Sequence, residues 1–208
     1  MIPVNVLAVK YLANASPALC KALGAPEGYP SLGLLTTDSD DATYIALDAA
    51  TKAAEVEVAY GRSFYAGASN ASTPYAGEVI GILAGQTPGA VKSGMEAALA
   101  ELQRVGFEER NSVPYLAHTV SSVGSFLAGE AGVQPGTALA YLIAPPLEAM
   151  YAMDSALKAA DVRLCKLYAP PSETNFGGGL LSGTQSACDA ACAAFAEAVA
   201  EVAGRPRE

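Results

Sequence analysis

Apolar positions in this chain recur with two periods. Val56, Val58 and Tyr60 alternate with Glu55, Glu57 and Ala59, the period of two expected of a strand with one wet face. Val91, Met95, Ala98, Leu99 and Leu102 share one face of a 3.6-residue period, and Gly106 stops it. Read in chain order, the first half predicts a strand from Val4 to Leu12 and a short helix opened by Ser16 and Pro17 and closed at Gly24. A strand from Ser31 to Thr37, a helix from about Ala42 to Ala54, the alternating strand, a strand from Glu78 to Ala84 and a helix opened by Thr87-Pro88 follow. The second half repeats the order: strand near Tyr115 to Val120, short helix near Ser125 to Glu130, strand Ala138 to Ile143, helix Leu147 to Ala160, strand Asp161 to Tyr168. A last helix starts near Thr184, carries Cys188, Cys192, Phe195, Val199 and Val202 at helical spacing, and ends at Gly204 and Pro206. Gly61 to Gly77 and Ala169 to Gly177 fit neither period and read as irregular segments. The run Gly177-Gly178-Gly179 suits a flexible loop or a close backbone approach.

The repetition extends to residues. With one constant offset, Ala46, Asp48, Ala50, Lys52, Ala53, Ala54 and Val56 meet identical residues in the stretch from Met150 to Val162, and Glu55 meets Asp161. Two copies are too few for a solenoid, so the reading is two similar domains of about 100 residues each, at 1–108 and 109–208. Strands and helices mixed in this order predict an α+β fold, a small sheet with flanking helices, twice over.

Composition narrows the partners. The 208 residues are 51% apolar, ample for a packed core. A formal charge of -9 argues against nucleic acid and anionic membrane, and makes a small cation the more natural charged ligand. The four cysteines form no close CxxC pair and no stretch resembles a signal peptide, so a soluble intracellular protein with reduced thiols is expected. The sequon Asn70-Ala71-Ser72 then carries no meaning. Enzyme chemistry lacks its usual constellations. His118 stands alone in an apolar strand, Cys188 and Cys192 sit in the apolar stripe beside Phe195, and no Walker A, GxGxxG or GxSxG pattern occurs. No metal or cofactor is implied.

The strongest polar cluster is Asp38, Asp40 and Asp41, between a strand and a helix. Helix capping and complementing the macrodipole explain such residues without any ligand. The repeat adds Glu148, which matches Ala42 beside Asp41, so both halves place carboxylate at the same turn. Were such turns to meet at domain or subunit junctions, an ammonium ligand would suit the opening, and Phe107 nearby would add a cation–π contact of about 0.5–2 kcal/mol.

Several longer motifs carry a resemblance. Ser31-Leu32-Gly33-Leu34, Asp38-Ser39-Asp40-Asp41, Tyr60-Gly61-Arg62-Ser63, Tyr65-Ala66-Gly67-Ala68, Ala76-Gly77-Glu78-Val79, the stretch Ala140 to Ala149 and Pro170-Pro171-Ser172-Glu173-Thr174-Asn175 together resemble the EutL family, the ethanolamine-utilisation shell proteins of bacterial microcompartments. The likeness covers essentially the whole chain. It implies two circularly permuted bacterial microcompartment (BMC) domains per chain and a homotrimer that mimics a hexamer, tiling laterally with other shell proteins in a cytoplasmic microcompartment. It also implies a central pore gated by the two irregular segments, carried here by Arg62, Phe64, Tyr65, Gly67, Tyr75 and Phe176. Smaller pores binding ethanolamine are implied at Asp40, Asp41, Glu78, Phe107, Glu148, Glu173, Thr174 and Asn175. The residues alone leave open a duplicated small-molecule sensor that belongs to no shell, and an enzyme with an undetected acidic site.

Overall fold

The computed structural model describes residues 1–64, 77–170, 172 and 174–207. They form two compact units, Pro3–Val105 with Gly124–Leu127, and Met1–Ile2 with Gly106–Val123 and Ala128–Glu208. In the first unit β1 (Val6–Leu12), α1 (Pro17–Leu23), β2 (Ser31–Thr37), α2 (Asp40–Ala53), β3 (Val56–Ser63), β4 (Val79–Gly85) and α3 (Pro88–Glu101) follow one another. The four strands make an antiparallel sheet in the order β1-β2-β4-β3. The second unit is built on β5 (Glu108–Arg110), β6 (Val113–Val120), β7 (Ala138–Ala144), β8 (Arg163–Tyr168) and β9 (Gly177–Gly183), ordered β5-β6-β7-β9-β8. Its helices are α5 (Pro146–Ala159) and α6 (Gln185–Gly204); α4 (Ser125–Ala131) has its first turn in the first unit.

Burial explains the layering. β7, Ala-Leu-Ala-Tyr-Leu-Ile-Ala, is buried at every position, as a central strand covered on both faces must be. α5 and α6 pack on one face of its sheet around Tyr115, Ala140, Leu142, Met153 and Phe195, with Cys188 and Cys192 as small core residues. In the first sheet α2 and α3 lie together on the sheet, while Cys20 and Leu23 of α1 pack with Leu32, Ile82 and Ala84. Three of the expected caps are present, whereas Ser16 makes no side-chain cap bond and α3 ends at Glu101 with Leu102 as its C-cap, short of the expected stop at Gly106. Gly24 closes α1 in the left-handed region at φ 78°, and the Thr87 and Thr184 hydroxyls each accept the N–H three residues on, at 3.1 and 3.2 Å.

Three expectations need correction. Val56, Val58 and Tyr60 do not share a face: the register shifts between Val58 and Tyr60, so Val58 pairs with Leu83 and Tyr60 with Ile82, and both Ala59 and Tyr60 pack toward Leu32 and Ile82. One extra residue in a strand has this effect. The same shift recurs at Cys165, between Leu164 and Lys166, at the corresponding place in the repeat. Gly61 to Ser63, read as the start of an irregular segment, continue β3 by pairing with Gly81, Ile80 and Val79. Gly177 to Gly179 likewise belong to a strand, and the run marks a close backbone approach rather than a flexible loop. A Cβ on Gly178 would lie 1.9 Å from the Leu142 carbonyl oxygen and one on Gly179 2.4 Å from that of Lys166. The hairpin joining β5 to β6 was not anticipated; it turns on Asn111 and Ser112, both at positive φ (50° and 64°), as a two-residue hairpin loop requires.

One repeated residue has diverged in use. Asp48 is wholly buried and its carboxylate accepts the backbone N–H groups of Gly124 (2.8 Å) and Leu127 (2.9 Å), with Lys52 Nζ 3.4 Å away. Its counterpart Asp154 is exposed and pairs with Lys158 at 2.6 Å. Removing a buried acceptor strands its donors, whereas an exposed pair contributes little. Asp48→Ala is therefore expected to lower the unfolding free energy by about 2–4 kcal/mol and Asp154→Ala by less than about 0.5 kcal/mol. Urea unfolding of the two variants checks this, and equal losses would contradict it.

Candidate functional site

β2 runs into α2 through a hydroxyl-braced turn. The Ser39 N–H donates to Thr37 Oγ1 (3.1 Å) and the Ser39 carbonyl accepts from the Thr43 hydroxyl (2.8 Å). Ser39 occupies the N-cap without a side-chain cap bond, and its Oγ is the only buried side-chain polar atom among the described residues with no partner. This turn buries Asp40 and Asp41 as the first two residues of α2. Asp40 Oδ1 accepts the Asp41 N–H at 2.9 Å, and its carboxylate is also hydrogen-bonded to Ser63. Ser63 Oγ lies 2.6 Å from the Tyr44 hydroxyl, giving a relay in which Tyr44 donates to Ser63 and Ser63 to Asp40.

Glu78 reaches the same corner from β4. Its N–H donates to the Thr37 carbonyl (2.9 Å), and its carbonyl accepts the Phe64 N–H (2.9 Å). The ends of β2 and β3 and the starts of α2 and β4 thus meet around two half-sequestered carboxylates. Burial pushes the Asp40 carboxyl above its ordinary range, against the lowering pull of its hydrogen bonds to Ser63 and Asp41. Glu78 is raised by burial first, then by the negative charges of Asp40 and Asp38. Asp38 itself is exposed and held by Asn5, whose N–H and side-chain amide donate to it at 2.8 and 2.6 Å. Among the described residues no Lys or Arg forms an ion pair with Asp40 or Glu78.

Of the remaining candidates Phe107, Glu148, Thr174, Asn175 and Phe176 lie in the second unit, Arg62 and Phe64 in the first. Phe107 and Phe176 have ring centroids 5.7 Å apart at 37°. Glu148 is half-buried in the first turn of α5. Thr174 and Asn175 precede β9, Asn175 at φ 65° with its N–H on the Ser172 carbonyl (3.2 Å). Arg62 stands in β3 with its guanidinium 5.6 Å from the Tyr60 ring centroid, and Phe64 follows the strand end, partly exposed. Tyr65, Gly67, Tyr75 and Glu173 lie outside the described residues. The acidic corner belongs to one repeat alone, because Pro146 stands where Asp40 does and Phe176 precedes β9 as Glu78 precedes β4.

Sequence reading missed Ser63 and Tyr44. Tyr44 is one helical turn beyond Asp40, a spacing that places both on one face, so it was findable; Ser63 was lost with the misread end of β3. No cluster of three His, Cys, Asp or Glu side chains suited to a metal occurs among the described residues. No helix among them is long and apolar enough to cross a membrane.

Comparison with known proteins fixes the family. The BMC domain family matches residues 31–114. The chain is 59% identical to the bacterial microcompartment shell protein EutL of Clostridium perfringens (strain 13 / Type A), covering 99% of this chain and 97% of that protein. It is 47% identical to EutL of Escherichia coli (strain K12), covering 99% and 96%. The crystal structure of the ethanolamine utilization protein EutL from Leptotrichia buccalis C-1013-b superposes with a TM-score of 0.96 at 57% identity, covering 100% of this chain and 97% of that one. Full-length identity of this order, on the same α+β fold, makes the protein a structural component of a microcompartment shell rather than an enzyme. The chain belongs to the EutL family of BMC-domain shell proteins.

Proposed function

We propose that the chain is a pore-bearing tile of an ethanolamine-utilisation shell, three copies closing a ring of six BMC domains divided at 108/109, and that its acidic corner takes up ethanolamine as the ammonium ion. The observation that carries this reading is the pair Asp40 and Glu78, sequestered together with raised carboxyl values and with no cationic side chain of the described residues to offset them. Ammonium supplies what is missing: a positive charge and three donors for charge-assisted hydrogen bonds. Asp41, Glu148, Glu173, Thr174 and Asn175 complete the acceptor set in this reading, and Phe107 offers its ring face to the cation. The segments around Arg62, Phe64, Tyr65, Gly67 and Tyr75 and around Phe176 serve as lids over a central pore through which larger solutes pass. Phe64 and Glu78, one at each mouth of the longer segment, are tied by a backbone hydrogen bond, so the acidic corner adjoins that lid's stems. A bound amine shifts the lid only to the extent that it binds one arrangement more tightly.

Calorimetric titration with ethanolamine is expected to show a saturable heat for the wild type that disappears in Asp40→Ala and falls sharply in Glu148→Ala. Undiminished binding in both would remove the site. Affinity is also expected to weaken as pH falls, because protons compete for the same carboxylates.

The raised carboxyls predict a pH-dependent stability as well. A carboxyl whose folded value is raised leaves the native state holding more protons than the unfolded chain between the two values, so stability is full below the unfolded value and is lost as pH rises through the folded one. Glu78→Gln removes that loss. It is expected to raise the melting temperature at pH 7, with the gain fading below about pH 4. A gain independent of pH, or a loss at pH 7, would contradict the burial of this carboxyl.

A further inference from the structure

Ser63 has one hydroxyl proton, and it goes to the Asp40 carboxylate. The 2.6 Å contact between Ser63 Oγ and the Tyr44 hydroxyl is therefore a bond in which the phenol donates. The ring that delivers this proton is held on two sides. An added Cβ on Gly61 would lie 3.3 Å from Tyr44 Cε1, so glycine lets the ring rest on β3, and the Phe126 ring meets it at 5.9 Å between centroids, tilted by 46°. Ser63 is held by the sheet: as the last residue of β3 it pairs with Val79, next to Glu78. The constant offset that relates the repeats passes through their shared bulge at Ala59 and Cys165, so every member of this chain of hydroxyls has a definite counterpart. Tyr44 becomes Met150, Ser63 becomes Ala169 and Asp40 becomes Pro146, Phe176 stands for Glu78, and Leu167 stands where Gly61 does. A hydroxyl pair that served to clamp the helix to the edge strand would be needed in both copies, since both have that helix and that strand, yet α5 and β8 do without it. The two hydroxyls are present where Asp40 and Glu78 are present and absent where they are absent, so their task concerns the acid and not the sheet.

We propose that Tyr44 and Ser63 are positioning residues of the amine site, two hydroxyls in series that hold the Asp40 carboxylate as an oriented acceptor for an incoming ammonium. The inference rests on the reading of the acidic corner as an ethanolamine site. Donors to a carboxylate favour its charged form, and a chain of hydroxyls polarises along its length, so the outer phenol strengthens the bond made by the inner hydroxyl. Both act against the burial that favours a protonated Asp40. The other titratable groups at the corner are Asp41 on the same helix, Asp38 in the preceding turn and Glu78 before β4. Arg62, the neighbour of Ser63 in β3, keeps its guanidinium over the Tyr60 ring.

Tyr44→Phe removes the outer hydroxyl and keeps the ring against Gly61 and Phe126, whereas Ser63→Ala removes the inner one and disconnects the other. Calorimetric titration of the full chain with ethanolamine over a series of pH values tests the assignment. At the acid end of the series Ser63→Ala is expected to weaken binding by about tenfold and Tyr44→Phe by about threefold. Both losses are expected to shrink as pH rises, because an Asp40 deprived of its donors holds its proton to higher pH and becomes an acceptor only above that point. A packing role would lower the melting temperature and leave the pH profile of binding where it was. If Ser63→Ala fails to fold by circular dichroism, Tyr44→Phe, which loses a single oxygen, carries the test. Losses equal at every pH, or undiminished binding in both variants, overturn the relay and leave the amine site. A wild type that takes up no ethanolamine overturns both.

Discussion

A carboxylate taken out of water demands compensation, either by backbone donors and a cation or by holding a proton. The first unit contains both solutions on one helix. Asp48 has two N–H groups and Lys52, and it anchors Gly124–Leu127 to the unit. Asp40, two turns earlier, has the Ser63 hydroxyl, the Asp40 and Asp41 backbone N–H groups and the Asp41 side chain, but no cation among the described residues, and Glu78 is a neighbour of the same sign. The fully compensated carboxylate is structural. The incompletely compensated pair carries an unfavourable interaction that a small cation would relieve, and this is the physical link between the fold and the proposed uptake of an amine.

Duplication supplies an internal control for that distinction. Both repeats keep the bulge after Val58 and Leu164, and both keep the threonine caps at Thr87 and Thr184. Features needed to close a sheet under two helices are therefore retained. The acidic corner is not: Pro146 and Phe176 replace Asp40 and Glu78. A carboxylate pair present in one copy and absent from the other is not required by the fold. The outer face of the repeated helix has diverged as well, Ile45 being buried where its counterpart Tyr151 is exposed.

Much of this was legible in the sequence because it is written in local periodicity. The Gly24 stop, the Thr87 and Thr184 caps and the order of strands and helices, apart from β5 and β9, follow from residues near in the chain. Long-range register was not. Only pairing with Ile80 and Val79 shows that Arg62 and Ser63 belong to β3, and only the neighbouring Leu142 and Lys166 carbonyls show why Gly178 and Gly179 lack side chains. Of the site, Asp40, Asp41 and Glu78 were named from motifs, and the geometry brings Asp40 and Glu78 to one corner. Ser63 and Tyr44 were not named, because a hydroxyl relay has no sequence signature beyond the spacing of Tyr44 from Asp40.

The central claim is that the corner formed by Asp40 and Glu78 is charge-deficient until an amine enters. Carboxyl carbon-13 chemical shifts, followed through a pH titration with Glu78 assigned, measure this directly. The account predicts a Glu78 midpoint above the ordinary glutamate value of about 4.3 in the free protein, and a clear downward displacement when ethanolamine is saturating. An ordinary midpoint that ethanolamine leaves unmoved would contradict it.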